Sequence, residues 1–392
     1  MRAAKDVLLR DVERHPKCRS VTIEKRNRAA NLVRCYLNAT ATDLRASTIP
    51  RHGVYRILVC RPNHRLGNML LMTPLIAELE RLYKGAEIDI VAEGPLAVDV
   101  FATYFSVKNV YCLPRRGFKH PVSFLSLISR IRKTNYDLII DPCVGSGFSR
   151  TLTRIFRGKY KLGFGEPGNA PSLTAVVPEA MAPHHMAKRP VALARWCSPA
   201  MQSESLGFPA MDIRLTEGER ACGKAVVREL LAELPPRRSI ATIGIFADAT
   251  GRKRYPAEWW NDFIAMLAEL SPHCDIVEIV PAHGRSMLGS RWPSYYSSSI
   301  RRMGAVMAAM DLMISADCGV MHLAAASRVP TVGMFSVTDA NVYGPYGSRS
   351  SALITSDISP TDAARRVVHT FSDLFGVQAY DEVLPEPQHA HL

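Results

Sequence analysis

The residues best suited to binding a charged ligand lie between 310 and 335, in MDLMISADCGVMHLAAASRVPTVGMF. An apolar strand runs into a tight turn, Asp317-Cys318-Gly319, and a helix then starts with His322 on its first turn. The N-terminus of a helix presents unpaired N–H groups and the positive end of its dipole, so this turn predicts a diphosphate site. Asp317 either caps the helix or binds a sugar hydroxyl, and His322 is either a ligand contact or a core histidine.

A second polar loop, within IFADATGRKRYPAEWW at 245–260, carries three consecutive basic residues between a strand and a helix. These are Arg252, Lys253 and Arg254, and Pro256 then opens the helix. Cations held beside a helix N-terminus suit the neutralisation of a leaving phosphate. A solvated surface triplet is the alternative, and we favour the functional interpretation because the triplet follows the end of a strand.

The third segment, RPNHRLGNMLLMTP at 61–74, follows the first strand of the pattern. Its single glycine does not make the G-x-G-x-x-G dinucleotide fingerprint, which disfavours a nicotinamide-dependent enzyme. Arg61, His64 and Arg65 either face an anionic acceptor or face only water.

Two α/β units are needed to position these loops. Short β-branched runs alternate with helical stretches from residue 55 onward, which indicates parallel sheets built of βαβ units. The alternation restarts after a polar linker at 234–238, so we expect two Rossmann-like domains facing a cleft, with ligands at the carboxyl ends of the strands. Pro74 predicts a kink in the first helix. Strands are predicted at 55–60, 87–92, 109–112, 137–141, 239–246, 275–280, 312–315 and 331–335, and helices include 217–234, 257–270, about 300–310, from 319, and 361–374.

The bulk composition is that of a globular protein, with 47% hydrophobic and 22% charged residues in 392. No secretory signal or membrane-spanning run is visible, and nine singly scattered cysteines favour reduced thiols in a cytoplasm.

The net charge is +13, and residues 1–56 hold 13 Lys or Arg against 5 Asp or Glu. This basic arm is either a helical segment packed on the domain or a contact for anionic lipid. Nucleic acid is disfavoured because no zinc finger, RNP-type pattern or aromatic-interleaved basic stripe is present.

Taken together, these segments resemble glycosyltransferase family 9, the heptosyltransferases of lipopolysaccharide core assembly. The resemblance is carried by RLGNMLLMTPLIAELE at 65–80, by KRYPAEWW at 253–260 and, most specifically, by MDLMISADCGVMHLAAASRVPTVGMFSVTDANVYGP at 310–345. It implies a GT-B fold, in which the C-terminal helix can cross back to the first domain. It also implies an inverting transfer without metal or cofactor, and ADP-heptose as the usual donor.

The resemblance also implies roles for individual residues. Asp317 would contact the donor sugar, and Lys253 would offset charge on the leaving phosphate. The donor-binding set by position is Thr250, Lys253, Arg254, Asp317, Cys318, Gly319 and His322, and the acceptor-binding set is Arg61, Arg65, Gly67 and Asn68.

Two positions depart from the family pattern. Asn68 stands where the family has the Asp that deprotonates the acceptor hydroxyl, and an amide is not basic at neutral pH. Asn68 can still orient an acceptor, while Asp248 and Asp141 are the alternative candidates for the base, either of which could equally be structural. Cys318 replaces the usual Thr and is expected to weaken a phosphate contact rather than abolish it.

The sequence therefore predicts a cytoplasmic glycosyltransferase that moves a sugar onto a lipid-linked saccharide, with peripheral attachment to the inner face of an anionic membrane. A nucleotide-sugar-binding scaffold without activity, or a GT-B nucleotide-sugar epimerase, is the alternative. The predicted units are a basic arm at 1–53, an acceptor domain at 54–234, a nucleotide-sugar domain at 235–350, and a helix and tail at 351–392.

Overall fold

The computed structural model describes residues 49–375 except 51, 167–169, 171, 197–206, 236–238 and 348. Its twelve described strands form two six-stranded sheets in which every recorded pairing is parallel. The first sheet contains β1 Arg56–Cys60, β2 Glu87–Glu93, β3 Val107–Leu113, β4 Tyr136–Asp141, β5 Gly158–Phe164 and β6 Ala175–Val177. The second contains β7 Ala241–Phe246, β8 Cys274–Val280, β9 Ser294–Tyr296, β10 Leu312–Ala316, β11 Thr331–Phe335 and β12 Ser351–Ile354.

The two sheets repeat one topology. Their strand orders are β3-β2-β1-β4-β5-β6 and β12-β11-β10-β7-β8-β9, so in each the chain starts near the middle, winds to one edge and then returns to the other. This is the order of the doubly wound dinucleotide-binding fold, which places ligands where the winding reverses. The reversal lies between β1 and β4 in the first sheet and between β7 and β10 in the second. The predicted pair of Rossmann-like domains is confirmed.

Helices connect the strands and cover the sheets. They are α1 Leu66–Leu70, α2 Thr73–Leu82, α3 Leu96–Phe101, α4 Pro121–Arg132, α5 Gly147–Ile155, α6 Arg189–Trp196, α7 Glu217–Ala232, α8 Ala257–Leu270, α9 Ile300–Met307, α10 Gly319–Ala326, α11 Ala340–Tyr343, α12 Pro360–Thr370 and α13 Ser372–Phe375. Among the residues described, no helix combines the length and the apolarity that a membrane crossing requires.

The predicted strands all exist, and the helix at 257–270 and the strand at 331–335 have the predicted bounds. The first predicted helix is two helices. Pro74 occupies the first turn of α2, where its missing N–H costs nothing, and α1 has already ended at Leu70. The kink predicted inside one helix is therefore a break between two.

Contacts of α7 and α12 bear on where the second domain begins and ends. α7 packs on α9, which belongs to the second domain. In sequence, however, α7 precedes the predicted linker at 234–238. Residues 236–238 of that linker lie outside the described part. α12 packs on α8, within the second domain. The crossing of a C-terminal helix back to the first domain stays a prediction, and residues 376–392 lie outside the described part.

Candidate functional site

The two domains touch where α1 meets the first turn of α10. A Cβ added at Gly67 would lie 2.9 Å from Cδ2 of His322 and 3.4 Å from Cα of Gly319. A Cβ at Gly319 would lie 3.1 Å from the backbone nitrogen of Gly67. Side chains at either position would push the loops apart, so this pair of glycines allows the predicted acceptor loop and the predicted diphosphate turn to meet.

The N-terminus of α10 has no side-chain cap. Its N-cap residue is Cys318, and Asp317, the alternative cap, is bonded elsewhere. The Cys318 sulfur lies 3.8 Å from the Ser315 hydroxyl, and burial raises the pKa of the thiol, which is therefore protonated at neutral pH. The first-turn amides of α10 are thus left without a carboxylate or hydroxyl cap, as an anion site requires.

Asp317 is the centre of a small polar cluster beside that helix end. Its Oδ2 accepts from the ammonium of Lys253 at 2.8 Å and from the hydroxyl of Thr338. The Asp317 side chain is 6% exposed and that of Lys253 is 32% exposed, so the pair reaches from the interior to the cleft. Both contacts use Oδ2, which leaves Oδ1 to accept from a ligand hydroxyl.

His322 is buried against Gly67. Burial lowers the pKa of its imidazole to about 4, so the ring is neutral at pH 7. Its Nδ1 makes no hydrogen bond within the described chain. A buried polar atom without a partner is costly, and a bound ligand could satisfy it.

The rest of the basic loop is directed elsewhere. Arg254 donates to Oδ1 of Asp248 at 2.8 Å and to the carbonyl of Ala249 at 3.1 Å, and His283 lies 3.6 Å from Oδ2 of Asp248. Thr250 precedes a 3₁₀ turn at Gly251–Lys253 without capping it. Within this loop, Lys253 is therefore the cation that the structure brings to Asp317.

Asp141, the strand-end candidate for the base, is enclosed at the end of β4. Its Oδ1 accepts from the Ser149 hydroxyl at 2.7 Å and from the Cys143 amide at 3.1 Å, and Nε of Arg150 is 3.5 Å from Oδ2. Burial raises the pKa of this carboxyl despite the neighbouring guanidinium. Its side chain has no solvent exposure. These contacts fit the structural role that the sequence left open.

Comparison with known proteins agrees with this geometry. The family model described as glycosyltransferase family 9 (heptosyltransferase) matches residues 297–368, which include β10, α10 and β11. The second half of the chain is therefore similar to glycosyltransferase family 9. The chain is 23% identical over 305 residues to lipopolysaccharide heptosyltransferase 1 of Escherichia coli K12, a match that covers 74% of this chain and 91% of that protein.

Solved structures show that the fold of this chain is GT-B. A family 9 glycosyltransferase from Veillonella parvula superposes with a TM-score of 0.66 at 17% identity, over 82% of this chain and 97% of that one. E. coli heptosyltransferase WaaC with ADP superposes with a TM-score of 0.61 at 20% identity, over 81% and 99%. The predicted resemblance to this family, the predicted fold and the predicted glycosyltransferase class are thus confirmed.

The residues predicted to bind the acceptor lie along the loop at 61–65 and the start of α1. Arg61 donates to the Cys143 sulfur at 3.3 Å, Arg65 precedes α1 as its exposed N-cap residue, and Asn68 is half-buried within α1. The structure also adds two residues that sequence reasoning missed, Thr338 on Asp317 and Glu93 on His64. Thr338 lies within the T-D of the family's closing motif, whereas nothing in the sequence marks Glu93.

Proposed function

We propose that this enzyme transfers a heptose from ADP-heptose to a lipid-linked or lipopolysaccharide-core saccharide, with inversion at the anomeric carbon and without a metal ion. The observation that carries the proposal is the Lys253 ammonium fixed on Asp317 beside the uncapped N-terminus of α10. The adenine nucleotide and the heptose are supported by the family and by the ADP in the E. coli relative.

In this proposal the donor diphosphate lies on the first-turn amides of α10, where Gly319 gives close access to the backbone. As the bond between the anomeric carbon and the diphosphate oxygen breaks, its electron pair stays on ADP. Lys253 and the helix dipole offset the charge that develops there. Oδ1 of Asp317 accepts a hydrogen bond from a heptose hydroxyl and orients the sugar.

The acceptor enters from the first domain. Its hydroxyl oxygen attacks the anomeric carbon from the side opposite the diphosphate, which inverts the configuration, and its proton passes to a general base. The contact between Gly67 and Gly319 supports this, because it brings loop 61–65 and α1 of the first domain next to the α10 turn. Arg61 and Arg65 are the acceptor-binding residues proposed there.

The first prediction tests this function directly. Purified protein given ADP-heptose and lipopolysaccharide truncated before its first heptose should release ADP at a rate that depends on the acceptor, and EDTA should not lower that rate. NMR of the product should show inversion. ADP release is followed by a coupled assay, and transfer by mass spectrometry.

The alternatives give different results. Binding of ADP-heptose by calorimetry without ADP release would indicate a scaffold, and nucleotide release without any acceptor would indicate an epimerase. Turnover with another nucleotide sugar but not with ADP-heptose would overturn the donor assignment alone.

An exposed apolar surface supports an acceptor held at a membrane. Val122 and Leu125 on α4 are 79% and 63% exposed, and Phe148 at the start of α5 is 49% exposed and stacks on Phe124. We call Val122, Leu125 and Phe148 the α4 patch. Exposed basic residues lie near it in sequence, just before α4 and at the end of that helix, namely Arg115, Arg116, Lys119, Arg132 and Lys133. Exposed apolar side chains on a basic segment match an anionic lipid surface.

The second prediction concerns this patch. Val122→Ser with Leu125→Ser should weaken sedimentation with phosphatidylglycerol vesicles about tenfold, because two inserted apolar side chains are lost. Ile240→Ser, which changes a 50% exposed residue on the second domain, is the matched control and should bind as wild type does. Equal binding by the double variant and this control would remove the patch from the membrane contact.

The basic arm at 1–53 stays a prediction, since residues 1–48 lie outside the described part. Its own test is removal of residues 1–50, which should weaken vesicle binding at low salt more than at high salt.

A further inference from the structure

The loop that precedes α1 holds a histidine paired with a carboxylate. Nδ1 of His64 lies 3.1 Å from Oε2 of Glu93, at the carboxyl end of β2. The His64 side chain is 40% exposed and that of Glu93 is 25% exposed, so the pair is accessible to solvent at the carboxyl end of the sheet, where ligands of such folds bind. We infer that His64, oriented by Glu93, is the general base that deprotonates the acceptor hydroxyl, an inference that rests on the proposed function.

The pairing determines which ring nitrogen is basic. An ionised carboxylate only accepts hydrogen bonds, so Nδ1 carries the proton that binds Glu93. Nε2 is then the unprotonated nitrogen, and it has no partner in the described part of the chain. A histidine held through Nδ1 by a carboxylate, with Nε2 free, has the arrangement that takes a proton from a hydroxyl.

Backbone hydrogen bonds fix the loop to β2. The Arg61 amide donates to the Val91 carbonyl at 2.9 Å, and the Glu93 amide donates to the Asn63 carbonyl at 3.2 Å. The Asn63 side chain accepts from the Arg65 amide at 2.9 Å and turns the chain into α1. His64 is therefore held on a rigid segment, three residues before the glycine that touches the diphosphate turn.

The other candidates for the base are already occupied. Asp248 is bonded to Arg254 and faced by His283, and Asp141 is enclosed by Ser149 and Arg150. Asn68 cannot accept the proton. His64 lies four residues before Asn68 on the same loop and helix, so the base is displaced along one element rather than moved to another domain.

The proton balance of the step is complete. The acceptor O–H bond breaks as its oxygen bonds to the anomeric carbon, the proton goes to Nε2, and the diphosphate leaves with the electron pair. Glu93 stabilises the imidazolium, which then returns its proton to water. The guanidinium-bearing side chain of Arg115 also approaches this loop, since its Cδ and the His64 Cβ both lie within 4.0 Å of a Cβ built at Gly94.

His64→Gln tests the assignment, since glutamine can still donate to Glu93 but cannot take up a proton. We expect kcat with truncated lipopolysaccharide to fall about 10²-fold with little change in the donor KM. His273→Gln, at an exposed histidine remote from the cleft, is the control and should keep the wild-type rate.

The double variant His64→Gln, Asn68→Asp separates catalysis from structure. A carboxylate at 68 should restore at least a tenth of the wild-type rate, and the acid limb of the pH–rate profile should move to lower pH, because carboxylates deprotonate below imidazole. A His64→Gln rate within threefold of an active wild type would overturn the inference. A loss of rate in His64→Gln that the added Asn68→Asp does not rescue would also overturn it. Failure of the wild type itself to turn over would instead contradict the proposed function.

Discussion

Replacing Lys253 by glutamine is expected to lower kcat about 10³-fold, the upper end of what one charge-stabilising contact contributes to a transition state. Two effects add. The leaving diphosphate loses the cation that offsets its charge, and Asp317, which is 6% exposed, loses the ammonium that neutralises it. An uncompensated carboxylate beside a diphosphate repels it, so donor binding should weaken as well.

Arg252→Gln is the matched control for this change. Arg252 is the exposed neighbour of Lys253 in the same 3₁₀ turn, and its variant removes one positive charge from the loop without touching Asp317. We expect its kcat to stay within about threefold of wild type, as is usual for a solvated charge. Steady-state ADP release and the thermal melting temperature of both variants would check this. Equal rates for the two variants would show that net loop charge, rather than the contact with Asp317, matters.

Much of the fold could be predicted because strands buried on both faces leave a strong pattern. Every residue of β7, β8, β10 and β11 is buried, and apart from Asp275 and Glu278 in β8 these strands are rich in apolar and β-branched residues. The sequence of β5, GKYKLGF, does not predict a strand, because it contains two lysines, two glycines and no β-branched side chain. β6 and β9 have three residues each, too few for a periodic signal.

The candidate site was predictable only in part. The turn at 317–319 follows from a strand, a glycine and a helix that are consecutive in sequence, so local rules suffice. Local rules do not predict that Lys253 is the partner of Asp317, because the two residues are 64 positions apart on different loops. The sheet order, in which β7 lies beside β10, brings them together. Glu93 is likewise 29 positions from His64, and parallel pairing of β1 with β2 makes them neighbours.

The helix α7 lies before the predicted domain boundary at 234, yet it packs on the second domain. Amphipathic spacing shows that α7 has a buried face but not which domain covers it. In the structure Gly223 of α7 lies against α9, and Glu219 accepts from the guanidinium of Arg301, which lowers the pKa of that carboxyl to about 2. Arg301 also donates to the carbonyls of Asp99 and Ile213, so the ion pair adjoins backbone of the first domain.

Gly223→Ala is therefore expected to destabilise the protein strongly. A Cβ at Gly223 would lie 2.1 Å from the Ala305 carbonyl oxygen and 2.4 Å from the carbonyl carbon. Both are backbone atoms of α9, so no side chain can move aside and the two helices must separate. Overpacking of this kind costs about 3 kcal/mol, which exceeds the gain of about 1 kcal/mol that alanine usually brings to a helix. Differential scanning fluorimetry should show a melting temperature about 5 °C lower.

Gly218→Ala supplies the control within the same helix. Nothing lies within 4 Å of a Cβ built at Gly218, so this variant gains the helix preference of alanine without a clash. Its melting temperature should equal or slightly exceed that of wild type. Whether alanine raises or lowers the melting temperature thus depends on what each glycine faces. Melting temperatures of the two variants within about 1 °C of each other would contradict the close packing of α7 on α9.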